Sequence, residues 1–577
     1  MKPPEALSAP DTSARAPQRA GRNQRMAVAL FFGALLALGL GLHRDYGMSW
    51  DEVNNHLNGL VNLKYVAQRL LPASMAQNPS LNPAWVPALA TYKDRDHGAL
   101  FEMLVTVSGQ VLGAHDSRAF YFWRHLCVFL VFMLGVWALY RLAWVRFANW
   151  RLALIAAGML VLSPRLFAEA FYNGKDLVFM ALYALAMYTL VELLRRPSWQ
   201  RAILHAITTA AAIDLRAQGL QLLLLTAIGL ALEAALAQRE TGSLRPRWGW
   251  GWLFLLYLAA ALAFAVAGWP YLWTAAWSDL AQASEGLRSY AWPHANLYFG
   301  RFVPANQLPW HYVFVWLSIT TPLPYTLAAL LGLAAGLRHL VRTGLGVLRT
   351  PAGRLDALLL LWLLGPLVFV LALRPSLYDG WRHLYFVYPA FLLWAGRGLH
   401  ALWQATRQPA KGRWFALAVL VLMAAETVRT AVRMVQMHPY QNVYFSFLPA
   451  AVVEQQFERD YWGLAYRQGL EWIAAHDASP RIPVAAPFLT PVSNNIFVLP
   501  AAERERLQPV TRKSNNHRYF LTGYRWHPQS YADSVGREVY SIRAGGVKIL
   551  SVFKRKAAAD SVVGLEPKKA RLINTSR

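Results

Sequence analysis

Apolar runs long enough to cross a bilayer recur along this chain, and they constrain it more than any other feature. They lie at about 26–42, 119–140, 152–168, 176–194, 219–237, 250–272, 310–337, 356–373 and 414–430. Shorter runs at 202–213 and 383–396 must borrow flanking residues to span. A spanning helix takes about 20 residues, because each adds about 1.5 Å toward about 30 Å of hydrocarbon. Lipid offers no partner to an open backbone, so continuous apolar runs of this length read as helices. The expectation is a mainly α, polytopic membrane protein with about eleven transmembrane helices. Composition agrees: 15% of the 577 residues are charged, against about 25% in a soluble domain.

The polar gaps between the runs orient the chain. With the N-terminus in the cytoplasm, loops 141–151, 195–201, 238–249, 338–355 and 397–413 hold 17 Lys and Arg and one acid, Glu240. The short loops on the other side (172–176, 214–219 and 374–382) hold four cations and three acids: Lys175, Arg216, Arg374 and Arg382 against Asp176, Asp214 and Asp379. This is the positive-inside asymmetry, and it accounts for the net charge of +26 without nucleic acid as a partner. Residues 1–25 read as a disordered basic cytoplasmic tail, and Met26–Leu42 as an uncleaved anchor, since no small-residue cleavage site follows it. The transmembrane domain then covers 26–437, with a large first outer loop at 43–118. Within that loop Gly98 to Gly113 is apolar but short, and reads as an interfacial helix. Residues 438–555 regain polar composition and read as a small extracytoplasmic α/β domain. Its hairpin signal is Ala544-Gly545-Gly546 between two alternating runs. Residues 556–577 read as a disordered basic tail, and the sole cysteine, Cys127, as a small buried hydrophobe.

Ionisable groups near a bilayer are costly, and here the candidates gather on the outer side. Asp51 and Glu52 follow the first helix. If Glu52 lies on the opposite side of a short helix, only one of the two carboxylates can point into a cavity and act as a general base. The competing reading is a helix-start acid with Ser49 as cap. Arg165, Glu169, Asn173, Lys175 and Asp176 cluster around the next outer turn, followed by Asp214 and Arg216. A capped turn or a local Asp–Arg pair would explain these equally well. Tyr378, Asp379, Arg382 and His383 share one outer loop. Cations converging at a membrane surface suit a lipid-linked phosphate. Asp96, His97 and His383 lack a paired metal-ligand spacing, and no phosphate loop, dinucleotide fingerprint or nucleophile elbow is present. No cofactor is evident.

Several strings, taken in order, resemble the C-type (GT-C) glycosyltransferases, a superfamily that includes the protein O-mannosyltransferases and the lipid A aminoarabinose transferase, with their bacterial family 39-like members. They are Trp50-Asp51-Glu52, SPRLFAEAFYNGKD (163–176), WPYLW (269–273), LPWHYVFVWLSITTP (308–322), YDGWRHLYFVYP (378–389), HPYQNVYF (438–445) and FERDYWGLAYR (457–467). The resemblance implies an inverting enzyme of a bacterial inner (plasma) membrane. It would move a sugar from a polyprenyl-phosphate carrier to a hydroxyl of a glycan, lipid or protein acceptor, with divalent-metal dependence left open. It implies Asp51 as the base, with Glu52 beside it, and Lys175, Arg216, Arg382, His383, Tyr378 and Asp379 around the donor phosphate. Asp96, His97, Arg165 and Asn173 are further candidates. The superfamily's His-Pro-Pro-like element in the first outer loop is replaced by Asp96-His97-Gly98. Two other classes stand beside this one: a lipid or sugar transporter or flippase, which should show related halves where no repeat is visible, and a non-catalytic membrane scaffold.

Overall fold

Every apolar run is helical in the computed structural model, which describes residues 21–70, 85–242, 245–273, 292–408, 412–512, 516–531 and 535–555. In chain order the first helices are α1 (Arg22–Leu42), α2 (Glu52–Leu70), α3 (Leu100–Val111), α4 (Ser117–Phe147), α5 (Trp150–Val161), α6 (Pro164–Tyr172) and α7 (Asp176–Arg195). There follow α8 (Trp199–Ile213), α9 (Gln221–Thr241), α10 (Arg245–Gly268), α11 (Tyr312–Thr320), α12 (Leu323–Thr343), α13 (Pro351–Leu373), α14 (Tyr388–Ala405) and α15 (Gly412–Gln436). The chain is an integral membrane protein. Among the described residues eight helices are long and apolar enough to cross a bilayer, or nine if α5 and α6 count as one span bent by 67°.

The expected eleven crossings exceed that number for a physical reason. The 202–213 run becomes α8, with 15 residues, which rises only about 22 Å. The 383–396 run becomes the 18-residue α14, which carries Arg397. Proline also breaks two runs: the chain bends before Pro164, and the 310–337 run divides into α11 and α12 around Thr321-Pro322, since proline disfavours helix in the residue before it. The first helix begins at Arg22, four residues inside the segment read as a tail. The rest of that tail and all of 556–577 lie outside the described residues.

Small residues let the helices meet closely, as lipid-embedded packing requires. A Cβ on Gly332 would stand 1.9 Å from the Trp394 carbonyl oxygen, and one on Gly398 equally close to that of Ala328, so α12 and α14 pack backbone against backbone. Gly135 does the same for α4 against Ala181 of α7.

Beyond α15, helices α16 (Ala450–Gln456), α17 (Tyr466–His476) and α18 (Leu489–Ile496) accompany a sheet. A separate hairpin, β1 (Ala295–Tyr298) with β2 (Arg301–Pro304), lies earlier in the chain. The sheet comprises β3 (Ile482–Ala485), β4 (Leu507–Val510), β5 (Tyr519–Thr522), β6 (Arg537–Ala544) and β7 (Val547–Lys554), in the order β4-β3-β5-β7-β6. Strand β3 runs parallel to β4 and β5, and the remaining pairs are antiparallel. The expected hairpin is β6–β7. Gly545 and Gly546 turn it at φ of 55° and 86°, the left-handed pair that a two-residue turn of matching twist needs. One apolar core runs unbroken from Phe129 and Trp362 among the helices to Val484 and Val552 in the sheet. The α/β portion is therefore seated on the ends of the helices.

A buried charge network joins α2, α3 and α4. Arg124 on α4 donates to Glu52 of α2 at 2.9 Å and to both oxygens of Glu102 of α3, all three being buried. Removing the cation leaves two buried carboxylates uncompensated, which typically costs about 3–5 kcal/mol. Arg124→Met should therefore lower the melting temperature of the detergent-solubilised protein markedly. Adding Glu52→Gln and Glu102→Gln should restore much of it, and an Arg124→Met protein that melts like wild type would contradict this account.

Candidate functional site

The segment that delivers Asp51 is clamped from both sides. Met48 donates its backbone N–H to Asn495 Oδ1 at 2.8 Å, and the same amide returns a hydrogen bond to the Met48 carbonyl. Asn494 Nδ2 binds the Ser49 and Trp50 carbonyls, and Trp50 N–H donates to the Trp462 carbonyl. Gly47 is required here, since a Cβ would lie 2.3 Å from the Leu464 carbonyl oxygen. Ser49 N–H donates to Glu52 Oε2 at 2.6 Å, half of a capping box, while the Ser49 hydroxyl makes no hydrogen bond.

The two adjacent acids therefore part. Glu52 turns into the protein, where its Oε1 meets Arg124 and His125, each at 2.9 Å. Burial opposes its ionisation, but His125 and Arg124 outweigh burial and hold it below the usual carboxylate range. Glu52 is thus an anchor, and its placement does not support the catalytic role expected of it. Asp51 keeps 38% of its side chain exposed and accepts from Arg382 Nη1 at 3.0 Å.

Arg382 is the centre of the site. Besides Asp51 it reaches Asp176 at 3.6 Å and Asp379 at 3.4 Å, with its guanidinium lying over the rings of Tyr378 and Trp462. Asp176 also pairs with Arg216, and Asp379 with Arg525. The charges thus alternate in one line: Arg216, Asp176, Arg382, Asp379, Arg525. Asp51 hangs from its middle. Lys175 sits within electrostatic reach of Asp51 and Arg382, and burial together with the Arg216 charge lowers its pKa to about 8.

Local structure fixes each member. Asn173 accepts from the backbone N–H groups of Lys175 and Asp176, and so starts α7 at this point; its Nδ2 donates to Glu169 and Asp176. Asp379 and Gly380 both take positive φ, 59° and 73°, a turn braced by Asn296 and by the Tyr312 hydroxyl. Burial pushes the Asp379 carboxyl up, against the pull of Arg525 and Arg382. Glu458, close enough to feel Asp379, is pushed up to about 8 by burial and then by that neighbour.

Several other expected residues fall differently. His383 is half-buried, edge-on against Tyr378, and its Nδ1 makes no hydrogen bond. Arg165 stands apart: it donates to the Tyr444 carbonyl and lies over Trp316 and Phe445. Asp96 and His97 pair with each other at 3.0 Å, and Asp96 lies within electrostatic reach of Lys175. Asp214 does not pair with Arg216, whose partner is Asp176. Sequence reasoning missed Arg525 and Glu458. The string holding Glu458 was visible, but nothing around Arg525 sets it apart from the other 56 Lys and Arg. Among the described residues no group of three or more His, Cys, Asp or Glu could hold a metal ion.

No family model matches the sequence, and no curated protein matches it either. The chain is similar to solved structures at low identity. ArnT from Cupriavidus metallidurans bound to undecaprenyl phosphate superposes with a TM-score of 0.47 at 13% identity, over 91% of this chain and 98% of that one. The Archaeoglobus fulgidus oligosaccharyltransferase in its apo form gives 0.45 at 10%, over 85% and 69%. AglB from the same organism, in complex with an inhibitory peptide and a dolichol-phosphate, gives 0.44 at 10%, over 87% and 70%.

Asp214 supplies a test of the electrostatics. Burial pushes its carboxyl up to about 8, from an ordinary 3.8, and its Oδ1 has no hydrogen-bond partner. Between those values the folded state holds a proton that the unfolded chain releases. Stability is therefore lost as pH rises through the window, and the full penalty applies above about 8. Asp214→Asn should raise the melting temperature at pH 9, by a gain on the order of 5 kcal/mol, and leave it nearly unchanged at pH 4. An equal shift at both pH values would count against a buried, neutral Asp214.

Proposed function

We propose that this chain is an inverting membrane glycosyltransferase, taking a sugar from a polyprenyl-phosphate carrier and passing it to an acceptor hydroxyl on the extracytoplasmic face. The observation that carries the reading is the meeting of Asp51 with a line of alternating charges, centred on Arg382, at a partly exposed spot where helix ends and the α/β portion converge. The orientation rests on the charge asymmetry of the loops.

An alcohol is a weak nucleophile until its proton has somewhere to go. Asp51 accepts that proton as the acceptor oxygen bonds to the anomeric carbon. The bond from that carbon to the phosphate oxygen breaks on the opposite face, so configuration inverts, and the electron pair leaves on the phosphate. Lys175, Arg216 and Arg382 already face this region, so the growing negative charge meets preorganised cations with little rearrangement. Arg382 does double duty, since the donor phosphate competes with Asp51 for its guanidinium and so frees the carboxylate for proton transfer. Glu52, locked on Arg124 and His125, sets the direction in which Asp51 points.

The test is turnover by the purified protein in nanodiscs, offered a panel of polyprenyl-phosphate sugars, with sugar transfer or slow hydrolysis followed by mass spectrometry. One donor should turn over, and Asp51→Asn should lower the rate by about 10²-fold or more without changing the melting temperature. Wild-type rates in Asp51→Asn would remove Asp51 from its role. A panel with no turnover, but with a sugar lipid moved between liposome leaflets, would replace the transferase with a transporter.

Lys175 gives the donor site a pH signature. The lysine is cationic below about 8 and neutral above, so its attraction for a phosphate falls as pH rises through that value. The donor KM should climb by about tenfold between pH 7 and pH 9.5. Lys175→Arg, which keeps its charge, should flatten the profile. A wild-type profile as flat as that of the arginine variant would place the phosphate elsewhere.

A further inference from the structure

Arg525, at the far end of the charge line, sits inside a group of half-exposed aromatic rings. Its guanidinium lies 4.4 Å from the ring centre of Trp526, 5.2 Å from Trp50 and 5.8 Å from Trp292. Trp292 stacks on Tyr378 at 4.7 Å and 9°, and Phe488 meets Trp526 edge to face at 4.7 Å. The exposed ring of His294 lies on Trp526 at 4.1 Å. These rings come from four distant stretches of chain: the first outer loop, the lead-in to β1, the Arg382 loop and the α/β portion. A narrow cleft opens between Trp50, Tyr461, Phe488 and Arg525.

The backbone here is held in a conformation that needs an explanation. Tyr524 and Trp526, on either side of Arg525, have φ of 61° and 59°, and Asp379, its carboxylate partner, has 59°. Left-handed geometry is a genuine outlier for bulky residues, and such strain collects at functional sites. Its effect is to aim Arg525 at Asp379 and at the Tyr461 carbonyl, while the Trp526 indole N–H is fixed on the Ala295 carbonyl.

A chain that only needed to seal two layers together would cover these rings. It leaves them half-exposed beside hydrogen-bonding groups: the Arg525 guanidinium and the part-exposed carboxylate of Asp51. That mixture matches one ligand chemistry. A pyranose ring shows C–H bonds of partial positive charge on one face and hydroxyls around its rim; the first suit an aromatic face, whose quadrupole is negative, and the second suit carboxylate and guanidinium. We propose that the platform of Trp50, Trp292, Phe488 and Trp526 around Arg525 is a sugar-ring subsite that holds a glycan acceptor beside Asp51. This rests on the transferase reading and narrows its acceptor to a glycan or glycolipid. The placement separates the substrates. Lys175 and Arg216 gather at the α7 end of the line for the donor phosphate, and the platform stands at the Arg525 end, with Asp51 between them.

The experiment compares wild type with Trp292→Ala, Phe488→Ala, Trp292→Phe and Trp526→Phe in nanodiscs, each first checked for an unchanged melting temperature. Two readouts are taken: KM for donor and for acceptor separately, and binding to an array of tagged soluble pyranosides. The expected result is an acceptor KM raised at least tenfold in the alanine variants, a donor KM moved less than twofold, and partial recovery in the phenylalanine variants. A rise in donor KM alone would give the platform to the carrier's sugar and overturn the acceptor assignment. No change in either KM would overturn the subsite altogether. If wild type transfers nothing, the transferase reading fails by itself and the array decides the platform. Pyranoside binding that drops tenfold in the alanine variants would uphold a sugar subsite, whereas no wild-type binding, or binding equal in the variants, would overturn it.

Discussion

The site depends on one guanidinium. Arg382 is buried among Asp51, Asp176 and Asp379 and reaches an oxygen of each. Each of the three comes from a different part of the chain: the segment between α1 and α2, the first turn of α7 and the loop before α14. Holding them therefore fixes three layers relative to one another. Arginine suits the position better than lysine would. Its planar fork reaches several oxygens at once, and its flat faces rest on Tyr378 and Trp462. A buried ion network of this kind adds little net stability, but it leaves few alternative arrangements once formed.

Around that hub the structure separates anchoring from chemistry. Arg124 gathers Glu52 and Glu102 in the interior, and Asn494 and Asn495 tie the chain just before Asp51 to α18. What remains free is one partly exposed carboxylate whose backbone cannot drift. The same logic applies at the other end of the charge line. There, strained residues on both sides of Arg525 hold it on Asp379 and leave aromatic faces open to solvent.

Much of the candidate site was legible in the sequence, because lipid makes charge expensive. In the apolar portion of the chain, acids and cations that survive at helix ends stand out, and Asp51, Lys175, Arg216, Asp379 and Arg382 were found that way. Arg525, Trp292 and Trp526 were not. They lie in segments of ordinary polar composition, where an arginine or a tryptophan carries no such signal. A charge near a bilayer signals that it has a partner, but not whether the partner is a ligand or another part of the chain: Glu52 meets Arg124 and His125, and Arg165 the Tyr444 carbonyl. The Asp214–Arg216 pairing failed because nearness in sequence is a poor guide once α7 brings Asp176 within reach of Arg216.

By itself the sequence determined the helical, membrane-embedded character of the chain, the β6–β7 hairpin and the positions of most ionisable candidates. These follow from local properties: run length against bilayer thickness, charge against lipid, and left-handed glycines at a turn. Only the tertiary structure decided that Asp51 and Glu52 face opposite ways, and that Arg382 joins three acids into a line ending at Arg525. Those outcomes turn on contacts between residues up to several hundred positions apart, such as Asp51 with Arg382. Their geometry is set by helix packing and by the seating of the sheet on the helix ends, which no local pattern encodes.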